Sequence, residues 1–515
     1  MVSETGERLP QSGRHLRAWG FAGVVSLVFL GVAIAGILNH EMWSDELMFW
    51  MMARDNSTLP DLIRTLKFEY MHPFLWGILL HGISRFSRDP LAMQGLHILI
   101  ATACVFLLCA FAPFPRWQKL LLTFSYFSLY EYSIISRNYG LGVLVMFLFC
   151  VLFRSRFASY IPLACLLALM ANVNFYSRMT AIALLAMLVM EWVRDRSWRE
   201  KFGRRRWDIA LSLLIFATAL GLSAWQNIPP NTGASTGIFT SGLRWQGVVA
   251  AIANLWKAYF PMPGLTLQFW NSNIIDDGYA AGLFWIPLGF SLALFYRRPL
   301  ILFLYLFNLA EIVVFHSLWT GLMRHLGHVF ILFVVCLWLG AEFPATPDAE
   351  LPSRNPAWNF FKRYQTRFVA VVLVVQVIAG GYAYGMDLLH PFSQSKAVAQ
   401  LVQRPDFKNY LVAGSIDVFT QSVSGHLDQP IFYPERDRLG TYISSDNTAQ
   451  RLTTEQLLTR VTQATPSDSA LLVLTRPLET PLPTFPNWGI QPLPPLPRAI
   501  VRVENYHLYR LQRLN

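Results

Sequence analysis

The amino-acid sequence predicts a polytopic α-helical membrane protein with a small α/β domain at its C-terminal end. Three observations predict it. Apolar runs of membrane length recur from residue 18 to residue 385, and about 20 apolar residues suffice to cross a bilayer. Hydrophobic residues make up 54% of the 515 and charged residues only 14%, against about 25% charged in soluble domains. From about residue 386 the chain turns more polar, and its apolar residues fall into short, strand-length groups.

Hydropathy places about eleven spans, near 18–38, 91–112, 120–136, 139–153, 159–175, 179–193, 209–226, 281–296, 300–319, 325–343 and 368–385. Residues 1–17 are polar, and the first run lacks a small-residue cleavage site, so it is expected to stay as a membrane anchor. One set of alternate loops is basic. It holds Arg8, Arg14 and Arg17, then Arg116 and Lys119, then Arg154 and Arg156. The run from Arg194 to Arg206, the pair Arg297 and Arg298, and Lys362, Arg363 and Arg367 complete it. Lys and Arg collect in short cytoplasmic loops, so this set, with the N-terminus, is expected in the cytoplasm. The same rule accounts for the net charge of +11 without nucleic acid.

The opposite loops, 39–90, 228–280 and everything after 385, are long and poor in basic residues. They are expected outside the cell's inner membrane. Residues His72 to Phe86 are apolar but too few to span, so they are expected as a helix lying in the outer interface. Loop 39–90 then holds two or three short helices, the first capped by Ser44. Loop 228–280 opens on Pro229 and Pro230 and holds a helix over Trp245–Tyr259. Residues 344–367 read as a Pro-rich basic linker.

The sequence divides into a membrane domain, 1–385, and an α/β domain, 386–515. In the second, Leu411–Gly414, Pro430–Tyr433 and Ala470–Leu474 read as strands, Glu455–Val461 as a helix, and Val501–Leu511 as a closing strand. Residues 476–498, rich in proline, read as irregular surface. The five cysteines, Cys104, Cys109, Cys150, Cys165 and Cys336, lie in apolar runs without zinc-like spacing.

Chemistry is expected at one membrane face. The first span is followed by His40-Glu41-Met42-Trp43-Ser44-Asp45-Glu46, and 68–74 reads Phe68-Glu69-Tyr70-Met71-His72-Pro73-Phe74. Ionised groups beside hydrocarbon are costly to keep without a task. Asp45 and Glu46 could equally serve a helix dipole, and adjacent helix residues point about 100° apart, so the two are not expected to share one job. Glu69 and His72, three apart, would share a face if helical. Arg137 and Tyr139 close the third span and Arg324 opens the tenth, both on the outer side, against the positive-inside trend. A lipid phosphate would explain such arginines, since guanidinium offers a fork of donors. Glu311 within the ninth span, and Asn172 and Asn174 at the end of the fifth, are further candidates.

In order and membrane side, these motifs resemble the GT-C superfamily of integral membrane glycosyltransferases, and most closely glycosyltransferase family 39, the protein O-mannosyltransferase and aminoarabinose transferase group. The resemblance covers about 18–340 and rests on Asp45-Glu46, His72-Pro73, Arg137-Asn138-Tyr139 and Arg324-His325. The chain departs from the pattern at Phe74 (usually a second proline), Ile135 (often glutamate, with Glu131 one turn away), Asn172 and Asn174 (often histidines) and His325 (usually tyrosine).

The resemblance implies a multi-pass enzyme that moves a sugar from a polyprenyl-phosphate donor to a hydroxyl of a glycan, lipid or protein acceptor, with inversion. It implies Asp45 as the base, with Glu46 and His72 in the catalytic set. Glu69, Arg137, Tyr139 and Arg324 would bind substrate, the arginines on the donor phosphate. In some relatives the acidic and histidine positions help hold a divalent metal. The competing expectations are a flippase for lipid-linked sugars, which would carry charges at mid-membrane and paired halves, and a non-catalytic assembly protein.

Overall fold

The computed structural model describes residues 11–69, 72–194, 206–228, 245–346, 355–445 and 449–514. The interior of the basic run (195–205), the Pro229-Pro230 entry and residues 347–354 of the linker lie outside these. Among the described residues, nine helices are long and apolar enough to cross a membrane. They are Ala18–Asn39, Leu91–Phe111, Tyr139–Phe157, Phe175–Arg194, Arg206–Gln226, Asp277–Phe295, Pro299–Leu318, Met323–Gly340 and Pro356–Leu389. Each matches an expected span. Met323–Gly340 is central, with 94% of its apolar stretch buried, against 17% for the peripheral Arg206–Gln226.

The other two expected spans are corrected. In place of 159–175 stands α8 (Ile161–Val173), a helix of 13 residues. At 1.5 Å per residue it is about 20 Å long, short of a roughly 30 Å hydrocarbon core. In place of 120–136 the chain is broken. Helix α6 (Arg116–Thr123) stops at Phe124, a π-helical turn follows over Tyr126–Glu131, and residues 132–138 form no regular helix. Hydropathy cannot see this break, because the residues stay apolar and aromatic throughout. Non-helical backbone at membrane depth is tolerated only when enclosed in protein, and residues 130–140 are all buried. Gly380 permits that enclosure: a Cβ there would lie 2.9 Å from the Tyr126 nitrogen.

Loop 39–90 folds into three short helices, α2 (Ser44–Asp55), α3 (Leu59–Leu66) and α4 (Leu75–Ser84). The last has ten residues, too few to span, as expected. Ser44 is not the cap of α2. Trp43 occupies that position, and Ser44 is the first helical residue. The helix expected in loop 228–280 runs over Trp245–Tyr259.

The C-terminal part is a six-stranded mixed sheet in the order β3-β2-β1-β4-β6-β5. Its strands are β1 (Leu411–Ser415), β2 (Ile431–Tyr433), β3 (Arg438–Gly440), β4 (Ser469–Leu474), β5 (Trp488–Pro492) and β6 (His507–Arg513). β1 runs parallel to β2 and β4, and the other pairs are antiparallel. Helices Ser395–Val402 and Asp417–Leu427 cover one face and Thr454–Ala464 the other. Two expectations change here. The stretch 476–498 contains edge strand β5, whose Pro492 suits an edge. Residues Arg502–Glu504 form a 3-10 turn ahead of the last strand.

This domain sits on α2. The Ser44 hydroxyl donates to the Val418 carbonyl at 2.8 Å, and Thr441 donates to Asp55 at 2.7 Å. Gly425 lies against Leu47, where a Cβ would come within 3.0 Å.

Candidate active site

Helix α2 sends its two first-turn acids to different surroundings. Glu46 is wholly buried and faces the bundle, where it meets His40 Nε2 at 3.0 Å and accepts the Trp43 and Ser136 amide protons at 3.3 and 2.5 Å. His40 Nδ1 meets Asp387 at 2.8 Å. Burial opposes charge on His40, but the carboxylates of Asp387 and Glu46 outweigh it and push the ring up to about 10. Glu46 therefore braces α2 against the ends of the first and last long helices. The structure does not bring it to the cavity described below, contrary to its expected place in the catalytic set.

Asp45 meets two arginines instead. Its Oδ2 lies 3.0 Å from Arg324 Nη2 and 3.3 Å from Arg137 Nη1. Arg137 Nη1 also donates to the Asp45 carbonyl at 2.6 Å. Burial would raise the Asp45 carboxyl, but the guanidinium groups of Arg137 and Arg324 hold it below the usual range. Aromatic faces fix both arginines. Arg137 lies 5.0 Å from the Phe49 ring centre, and Arg324 lies 5.4 and 5.7 Å from those of Trp43 and Trp270. Arg324 comes from the first turn of Met323–Gly340, Arg137 from the irregular stretch before α7 (Tyr139–Leu152). Arg324 Nε and Nη1 are buried without an acceptor at full hydrogen-bond geometry among the described residues, although the Tyr139 hydroxyl interacts with the guanidinium. Buried, unfilled guanidinium donors cost several kcal/mol unless an acceptor arrives. The site is chemically ready for an anion.

Beside this cluster opens a cavity of about 190 Å³. Five predicted residues line it: Glu69, His72, Tyr139, Asn174 and Arg324. Asp45 and Arg137 join it through Arg324. Glu69 and His72 meet there without sharing a helix, because α3 ends at Leu66 and neither residue is helical. The Glu69 carboxylate accepts the Ser445 amide and hydroxyl protons at 2.8 and 3.0 Å, and burial pushes it up to about 7. His72 packs edge-on to Phe49 at 5.1 Å, and burial together with Arg137 lowers it to about 3, so the ring is neutral.

Sequence reasoning named His325 and Asn174 but missed the aromatic residues of the opposite wall. Tyr176 stacks on His325 at 5.1 Å, and Trp319 packs on the same ring at 4.8 Å. The Leu322 amide donates to His325 Nδ1 at 2.8 Å, so the neutral ring carries its hydrogen on Nε2. Ser445, from the C-terminal domain, closes the cavity, and no motif marks it. Asn174 lines the cavity, whereas Asn172 pairs with Ala219 and Gln226. Glu311 accepts from Asn308 on its own helix, and Asn308 accepts from Thr180 on a neighbouring one; Glu311 does not line the cavity.

The acids and histidine do not fit a divalent metal. Glu46 is turned to His40, and two guanidinium groups already neutralise Asp45. Among the described residues no three His, Cys, Asp or Glu side chains are grouped to hold an ion.

No protein-family model matches the chain, and no curated protein matches it significantly. Among solved structures it is similar to the crystal structure of ArnT from Cupriavidus metallidurans bound to undecaprenyl phosphate. The two share 12% identity at a TM-score of 0.49, over 95% of this chain and 98% of that one.

Proposed function

We propose that the protein is a membrane glycosyltransferase that transfers a sugar from a polyprenyl-phosphate donor to an acceptor hydroxyl outside the inner membrane. The observation that carries this reading is the convergence of Asp45, Arg137 and Arg324 beside one cavity, with Arg324 donors left unfilled. The sequence motifs that resemble family 39 are the ones that meet there.

In this reading the donor's phosphate takes the free donors of Arg324 and shares those of Arg137. The acceptor oxygen attacks the anomeric carbon as Asp45 removes its proton. The carbon–oxygen bond to phosphate breaks, and the electron pair leaves on a phosphate held by cations, which stabilise it as charge develops. One displacement inverts the anomeric centre. The arginines beside Asp45 lower its basicity; when donor binds they are drawn toward phosphate, which leaves a stronger base in place.

The orientation follows from charge. Arg154 pairs with Glu342, Arg156 with Glu191, and Arg297 bonds Thr346, at the bundle end away from Asp45. The positive-inside rule assigns that end to the cytoplasm, so the cavity and the sheet domain face outward. Glu311, engaged within the bundle, gives no support to a flippase path.

Mass spectrometry of lipid co-purifying with the protein tests this reading, together with transfer from a polyprenyl-phosphate sugar. A polyprenyl phosphate retained by the wild type and lost in Arg324→Ala supports it. Absence of both bound polyprenyl phosphate and transfer overturns it.

A further inference from the structure

A helix leaves its first amide protons without internal partners. In α2, Trp43 at the cap has no side-chain acceptor, and the Ser44 hydroxyl is spent on Val418. The Ser44 amide instead donates to Glu504 Oε1 at 2.8 Å, across 460 residues of sequence. The other Glu504 oxygen accepts from the hydroxyls of Ser393 and Ser422. Glu504 is wholly buried, so its carboxyl has no freedom to follow α2 if the helix start moves. His426 adds a second fastener, 3.1 Å from the Met42 carbonyl. The residue after Ser44 is Asp45.

We propose that Glu504 is a positioning residue, through which the C-terminal domain fixes the first turn of α2 and thereby the place of the Asp45 carboxylate. The inference rests on Asp45 being the base of the proposed transfer. It makes the sheet domain part of the catalytic geometry, as well as a wall of the cavity through Ser445. Misplacement of a reacting group by about 1 Å can cost on the order of 100-fold in rate. The chemistry needed from Glu504 is an acceptor. Burial pushes its carboxyl up to about 8; toward the Ser44 amide glutamine offers an equivalent carbonyl oxygen, and its NH2 can donate to the Ser393 and Ser422 hydroxyls, which rotate to accept.

Two readouts on full-length protein test this. The first is hydrogen exchange of the peptide covering Trp43–Leu47. The second is kcat and donor KM, taken separately. In Glu504→Ala, exchange at the start of α2 should accelerate at least about tenfold, and kcat should fall by about 100-fold with donor KM little changed. Glu504→Gln should behave as wild type in both. Should Glu504→Ala not fold, Ser44→Pro removes the same amide proton at a position where proline suits a helix start, and the same changes are expected. Wild-type exchange or wild-type kcat in Glu504→Ala or Ser44→Pro would overturn the inference, as would a Glu504→Gln as impaired as Glu504→Ala. Failure of the underlying reading looks different: the exchange pattern holds, but the wild type transfers no sugar.

Discussion

Asp45 Oδ2 lies 3.0 Å from Nη2 of Arg324, a residue 279 positions further along the chain. The pair joins a carboxylate at the start of a short helix to a guanidinium at the start of the most buried long one. Each role assigned above makes a different demand on it.

Asp45→Asn removes the base but keeps an oxygen for Arg324. General-base catalysis contributes about 100- to 10,000-fold, so kcat should fall by that much. Loss of the carboxylate's charge frees both arginines, so the variant should bind polyprenyl phosphate at least as tightly as wild type. Transfer assays and lipid binding on the same preparation check both halves.

Arg324→Lys keeps the charge and loses the fork of donors. A hydrogen bond to a charged group contributes about 1.5–3 kcal/mol, so donor KM should rise roughly 10- to 100-fold. Steady-state kinetics with varied donor measures this. An unchanged KM would remove Arg324 from the phosphate.

Glu69 gives a pH signature. Its folded value of about 7 lies above the 4.5 of the free side chain. Between those values the folded state holds a proton that the unfolded state has released, so stability falls as pH rises through that window. Glu69→Gln should abolish that share of the slope, at most about 3 kcal/mol. Thermal unfolding in detergent at pH 5 and pH 8, compared between the two proteins, reads the difference. His72, lowered to about 3 from 6.5, works in the opposite sense: its share of stability is lost as pH falls below 6.5.

His40→Ala leaves Glu46 and Asp387 buried without their shared partner. Removing one member of a buried ionic bridge costs about 3–5 kcal/mol. The variant should unfold well below wild type, and adding Glu46→Gln and Asp387→Asn should recover part of the loss. Melting temperatures of the single and triple variants decide this.

The sequence was most legible where order and membrane side carried information. Asp45, Arg137 and Arg324 stand at the ends of separate apolar segments, on the side the sequence predicted to be shared, and they meet. Glu46 was drawn into the catalytic set by a motif, although its step of about 100° around the helix already argued against it. Glu69 and His72 line the cavity from outside any helix, beyond the end of α3 at Leu66, which helical spacing could not foresee. Residues supplied from a distance, Ser445, Glu504 and Asp387, carry no local signature, because their significance lies wholly in tertiary contact. The break at Phe124 was hidden for the opposite reason: its composition is that of an ordinary span.

That break bears on how the chain is made. The passage from Phe124 to Asn138 cannot partition into lipid by itself, since its non-helical amides and carbonyls would face hydrocarbon unsatisfied. Its enclosure depends on the helix Pro356–Leu389, whose Gly380 seats against Tyr126. The ribosome delivers that helix long afterwards. Insertion at the translocon must therefore leave an open seam until late in translation, and a nascent chain halted before residue 356 should be an unsealed intermediate, recognised by membrane quality control.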